Sequence, residues 1–330
     1  MNSLACATVD RSPARLDPRE ELFHIPSHRD RCALFLRHLP PVAPHVRAPK
    51  VVLYVHGATF PSALSIAHRF DGRSWRDELA DAGYHVWGVD FLGFGASDRY
   101  PEMREAADRH APLGRAEDAS RQLEHAVRFI CERQRTQRIS IIAHSWGTIP
   151  TGLLAGRAPE LIERLVFFGP ITWRARTEAP ALYPAWRLVS LTDQWTRFTE
   201  DVPPGAAPVL AEDHFAVWGE RYLDTDPESR TRSPPSVQTP SGPWQDVAAA
   251  WAGELAYDPG LIRAPLAVVR GEWDSLTTDA DARWLFDALK ASPLRRDVKI
   301  SRATHLMHLE ESRRQLYREA LCFLEGDDTP

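Results

Sequence analysis

Residues 138–158 read RISIIAHSWGTIPTGLLAGRA: an apolar run, a serine, and a second apolar segment with no break between them. The run from Ile139 to Ala143 is short and rich in β-branched residues, which predicts a buried strand, and the segment after Gly147 predicts a helix. Between them Ala143-His144-Ser145-Trp146-Gly147 fits the pattern G-x-S-x-G with alanine at the first glycine position. Strand and helix backbones approach closely at such a turn, so small residues are needed on either side and the serine is pushed out at the strand's end. The plain alternative is a serine that caps the helix.

Outward from this turn the same alternation repeats. Upstream, KVVLYVHGATF (50–60) predicts a strand, SWRDELADAG (74–83) a short helix with a serine N-cap, HVWGVDFLGFGASD (85–98) a strand opening into a glycine-rich loop, and RAEDASRQLEHAVRFICERQ (115–134) an amphipathic helix. Ala119, Leu123, Ala126, Val127 and Ile130 lie at helical spacing in the last of these. Before them, residues 21–39 predict an entry hairpin ended by prolines. Downstream, ERLVFFGP (163–170) is a strand, after which the rhythm stops. It resumes with APLAVVRGEWD (264–274), TDADARWLFDALK (278–290), RRDVKISRATH (295–305) and SRRQLYREALCFLEG (312–326), read as strand, helix, strand and terminal helix. This order calls for an α/β fold with a mostly parallel sheet covered by helices on both faces.

The interruption, from about Ile171 to Leu255, shows no clear strand and holds six of the 11 tryptophans and ten of the 27 prolines. It reads as an inserted, mainly helical cap. The domain division that follows is a core of residues 1–170 and 256–330 with a cap or lid at 171–255.

Bulk properties narrow the class. Hydrophobic residues at 43% and charged residues at 26% describe a globular chain with a large core, and a net charge of −5 gives no electrostatic footprint for nucleic acid. Cys6, Cys32, Cys131 and Cys322 lie far apart without a C-x-x-C pair, which predicts reduced, structural or incidental thiols. The Leu-Ala-Cys string near the start lacks a preceding apolar region, and no stretch nears the roughly 20 apolar residues of a membrane span. A cytoplasmic protein is the expectation. No cofactor or metal is expected, since GFGASD is not a G-x-G-x-x-G and no metal-ligand spacing occurs.

A serine hydroxyl is a weak nucleophile and needs a base held in the right tautomer by a third group. In strand–serine–helix turns of this kind the order along the chain is serine, acid, histidine. Asp274 and His305 each follow a strand directly, at the ends where parallel sheets bind ligands. Among alternatives, His308 stands three residues beyond His305, His144 adjoins the serine, and His56 suits a turn. Glu272 and Asp279 flank Asp274. The oxyanion formed on attack needs preorganised donors. The candidates are the backbone N–H groups of Trp146 and Ala58, with Thr59 as the alternative. In the cap, Trp173, Trp186 and Trp218 are candidate substrate-binding residues, because ligand pockets are lined mainly by aromatic and apolar groups.

Taken together, His56-Gly57, Val89 through Asp98, the Ser145 turn, Gly271-Glu272-Trp273-Asp274 and Ala303-Thr304-His305 resemble the α/β-hydrolase superfamily, in particular the cap-bearing branch of pimeloyl-acyl-carrier methyl ester esterases and related carboxylesterases. The resemblance covers nearly all of the chain outside the cap. Ala143 is its one departure. It implies the α/β-hydrolase fold and a serine esterase or thioesterase acting on a small-molecule acyl substrate, bulky and apolar if the tryptophans line the pocket. Haloalkane dehalogenases and epoxide hydrolases of this fold carry aspartate where Ser145 stands. Acyl transfer, or hydrolysis of the carbon–carbon bond of a β-diketone, uses the same triad, and a ligand-binding or signalling protein of this fold is the alternative of another class.

Overall fold

A computed structural model describes residues 13–43, 48–175 and 182–326. Cys6 lies outside them. In chain order the elements that position the site begin with β1 (Glu21–Pro26) and β2 (Ala33–Leu39), an antiparallel pair. There follow β3 (Lys50–Val55), α1 (Trp75–Asp81), β4 (Tyr84–Asp90), α2 (Ala116–Gln134), β5 (Ile139–His144), α3 (Thr148–Arg157) and β6 (Ile162–Phe168). The interrupting segment carries β7 (Trp186–Ser190), α4 (Leu191–Thr199), α5 (Glu212–Leu223), β8 (Ser236–Pro240) and α6 (Gly242–Trp251). The chain then closes with β9 (Leu266–Gly271), α7 (Asp279–Ala288), β10 (Arg295–Ile300) and α8 (Arg313–Glu325).

Eight strands form one sheet in the order β1-β2-β4-β3-β5-β6-β9-β10, antiparallel at the β1 and β2 edge and parallel from β4 onward. Successive side chains of a strand face opposite ways, and the central strands use both faces. Val51, Leu53 and Val55 of β3, with Ile139, Ile141 and Ala143 of β5, join the core under α2, α3 and α7. Val52, Tyr54 and Ile142 join the other core, under α1 and α8. Burial on both faces is why these strands read as unbroken apolar runs rather than as alternations.

The segment 171–255 differs from the expectation in two respects. β7 and β8 pair antiparallel as a separate two-stranded sheet, missed because Pro234, Pro235 and Pro240 disguise a strand whose residues Ser236–Pro240 are largely polar. α6 contributes Val247 and Ala250 to the core under α2 and α3, so the last helix of the insertion belongs to the main body by packing. The remainder, with Phe198, Trp218 and Tyr222, makes a third apolar cluster with Phe60, Leu64, Leu306 and Leu309 from the loops after β3 and β10. These elements therefore sit on the loops at the carboxyl end of the sheet. Cys32 is disulfide-bonded, contrary to the expectation of reduced thiols, whereas Cys131 and Cys322 are free. Among the described residues no helix is long and apolar enough to cross a membrane.

Candidate active site

Ser145 ends β5 with φ +54°, a left-handed conformation that costs a non-glycine residue of order 1–3 kcal/mol and persists only where surrounding structure enforces it. The enforcement is visible in the neighbours. A Cβ on Gly147 would stand 2.4 Å from the carbonyl oxygen of His56, and one on Gly57 3.2 Å from Ser145 Cβ, so glycine at both lets the loop after β3 close onto the serine. Ala143, by contrast, is fully buried within the ladder between β3 and β6, where its methyl group is accommodated.

The structure brings Ser145, His305 and Asp274 together. His305 Nε2 lies 2.7 Å from Ser145 Oγ, and its Nδ1 lies 3.1 Å from each carboxylate oxygen of Asp274. Asp274 Oδ1 also accepts the N–H groups of Leu276 and Thr277, at 2.9 Å each, which fixes the carboxylate. All three side chains are buried. Gly169, at the end of β6, takes φ +54°, and a Cβ there would meet His305 Cε1 and Nδ1 at 2.9 Å.

The rival residues have other partners. Glu272 accepts the N–H of Arg302, and Asp279 is paired with Arg270 and Lys299. His144 stacks on Phe168 and donates from Nε2 to the His305 carbonyl at 3.1 Å. Burial holds it well below the usual histidine pKa, so it is neutral. His56 accepts the Phe91 N–H at Nε2, 3.1 Å, and donates from Nδ1 to the Gly57 carbonyl, 2.7 Å, tying the loop that carries Ala58 to the loop after β4. His308 is buried against Phe60, His144 and Phe168, and neither ring nitrogen has a partner.

Two supporting carboxylates escape a reading of the sequence. Glu310 is fully buried and accepts from both the N–H, at 3.0 Å, and the hydroxyl of Thr304, the residue before His305. Burial first, with Asp274 and Asp201 adding repulsion against the pull of the Thr304 hydrogen bonds, pushes its carboxyl up to about 7. Asp246, on α6, accepts the indole N–H of Trp146 at 2.9 Å and the Ala116 N–H at 2.7 Å, and pairs with Arg115. It couples the turn behind Ser145 to the start of α2.

Of the three candidate tryptophans, Trp173 donates to the Gly253 carbonyl and stacks on Trp284, and Trp186 donates to the Glu105 carbonyl. Trp218 is buried, donates to the Leu64 carbonyl and packs edge-on to Phe60, two residues past Ala58. Among the described residues no cluster of histidine, cysteine and acidic side chains is arranged to hold a metal ion.

The family model described as the alpha/beta hydrolase fold matches residues 50–312. The chain belongs to this family. Among curated proteins, human Lipase member N is 27% identical over 138 residues, 41% of this chain and 35% of its own length, and human Lipase member K is 26% identical over 136 residues. The chain thus matches about a third of the length of these relatives. Among solved structures, the thioesterase domain from the curacin biosynthetic pathway superposes with a TM-score of 0.58 at 16% identity, covering 92% of this chain and 99% of that one. A thermophilic esterase from Thermogutta terrifontis gives 0.54 at 19% identity, covering 92% and 99%.

Proposed function

We propose that this chain is a serine hydrolase that cleaves a carboxylic ester or thioester through an acyl-enzyme, with Ser145 as nucleophile, His305 as general base and Asp274 orienting the imidazole. The observation that carries this reading is the 2.7 Å approach of His305 Nε2 to Ser145 Oγ, with the other ring nitrogen engaged by Asp274. An acceptor at Nε2 and a donor at Nδ1 are the tautomer that general-base catalysis needs. Attack by the Ser145 oxygen on the carbonyl carbon sends the hydroxyl proton to His305, which returns it to the departing alcohol or thiol. Water, deprotonated by the same nitrogen, then releases the acid. Ala58 and Trp146 supply the oxyanion donors in this scheme, on the two backbone segments that close around Ser145. Residues 171–255 act as the cap, with α6 as its fixed end. The lipase, esterase and thioesterase relatives support hydrolysis of an acyl bond.

Turnover of a panel of acyl esters, thioesters and β-diketones, with products identified by mass, tests the reading. Release of a carboxylic acid from esters or thioesters is expected; cleavage of the diketones alone would replace it.

A further inference from the structure

The segment 171–255 holds a set of polar side chains with buried atoms that make no well-formed hydrogen bond. On α4, Gln194 is fully buried and neither its amide oxygen nor its amide nitrogen is hydrogen-bonded. Arg197, three residues on and so on the same helix face, has buried Nε and Nη1 atoms that are likewise unpaired. Its guanidinium carbon stands 5.0 Å from the centroid of Trp244, and that of Arg187 stands 5.0 Å from the same ring. The Tyr222 hydroxyl on α5 is buried beside the Gln194 amide, with no partner at full hydrogen-bond geometry.

This cluster lies against the catalytic loops from two sides. Asp201, just past α4, accepts the N–H of Ser275, the neighbour of Asp274, at 3.3 Å. Tyr222 stacks on Trp218, which meets Phe60 at 5.1 Å beyond the Ala58 loop. The charge of Arg197 is felt by His144, next to Ser145.

An unsatisfied buried polar group costs about 1–3 kcal/mol, and an unpaired charge more. Gathered beside the loops that carry Ser145 and Asp274, such groups describe a binding site. With the exception of the Gln194 oxygen they are donors, and one carries a positive charge, whereas the acidic neighbours Glu200 and Asp201 make no hydrogen bond to Arg197 among the described residues. A carboxylate, acceptor at both oxygens and singly charged, satisfies the guanidinium, amide and hydroxyl donors together. We infer that Arg197, with Gln194 and Tyr222, binds a free carboxylate on the substrate away from the scissile bond. The substrate class is then a carboxylate-bearing ester or thioester, such as a monoester of a dicarboxylic acid, rather than a neutral apolar ester. The inference rests on Ser145 being the nucleophile.

The test uses a fluorophosphonate probe on the full chain, with monomethyl glutarate as anionic competitor and dimethyl glutarate as its neutral counterpart, in wild type, Arg197→Met and Arg197→Lys. The ratio of the two protecting concentrations is read within each protein, so a change in overall reactivity cancels. In wild type the anion is expected to protect at a concentration about tenfold or more below that of the diester, the ratio to approach one in Arg197→Met, and Arg197→Lys to recover part of it. Labelling of Ser145 with equal protection by the two compounds, or with the same anion advantage in Arg197→Met, overturns the carboxylate site and leaves the serine assignment standing. Wild type that takes no label overturns the serine assignment and the inference with it.

Discussion

His144, one residue ahead of Ser145, donates from Nε2 to the backbone carbonyl of His305 across 3.1 Å, so the strand that presents the serine also pins the loop that presents the histidine. The two residues are 161 positions apart in the chain. Stacking on Phe168 and burial keep the His144 ring neutral and in register for this bond.

His144→Phe keeps the stacking surface and removes the donor. It is expected to lower kcat for an activated ester by about tenfold, the worth of one hydrogen bond of about 1.4 kcal/mol. Stopped-flow acylation measurements read this; an unchanged rate would show that the His305 loop holds itself.

Gly169→Ala places a methyl group 2.9 Å from the His305 ring on a backbone at φ +54°. A loss of about 1–3 kcal/mol in stability and a fall of more than tenfold in kcat are expected. Gly72→Ala is the control, since it takes φ +79° with nothing within 4 Å, and should cost stability alone. Equal activity in the two variants would mean that the close approach at Gly169 has no bearing on His305.

Glu310 gives stability a pH dependence of definite sign. Its carboxyl sits at about 7 in the folded protein against an ordinary 4.5, so between those values the unfolded chain releases a proton that the folded chain keeps. Stability from this group is therefore full below pH 4.5, falls as pH rises toward 7, and is level above it, a span of about 3 kcal/mol at most. Glu310→Gln retains an acceptor for Thr304 and should flatten this part of the curve. Urea unfolding at pH 5 and pH 8 measures it; a constant difference between variant and wild type at both would refute the assignment.

The parts legible in the sequence are those whose physics is local. β3, β5, β6 and β9 announce themselves because they are buried on both faces, and Ser145 and Asp274 because each stands past the end of such a strand; His305 follows β10, which is exposed on one face. Glu310 and Asp246 were not legible, since a glutamate in HLEES or an aspartate in PWQDV looks like a solvated helix residue until the fold brings Thr304 or Trp146 against it. The segment 171–255 was legible as an interruption only. Trp173 and Trp186 donate their indole N–H groups to backbone carbonyls of neighbouring segments. The polar residues Gln194 and Arg197, unremarkable in LTDQWTRFT, carry the unpaired groups, and whether a polar group finds a partner is decided by tertiary packing.

If Ser145 is an activated nucleophile, peptide mass spectrometry after fluorophosphonate treatment locates the adduct on it. The expected result is a single adduct on the peptide containing Ser145 in wild type, none in Ser145→Ala, and labelling slowed by several orders of magnitude in His305→Ala. An adduct on another residue, or a wild-type chain that stays unmodified while folded, would contradict it.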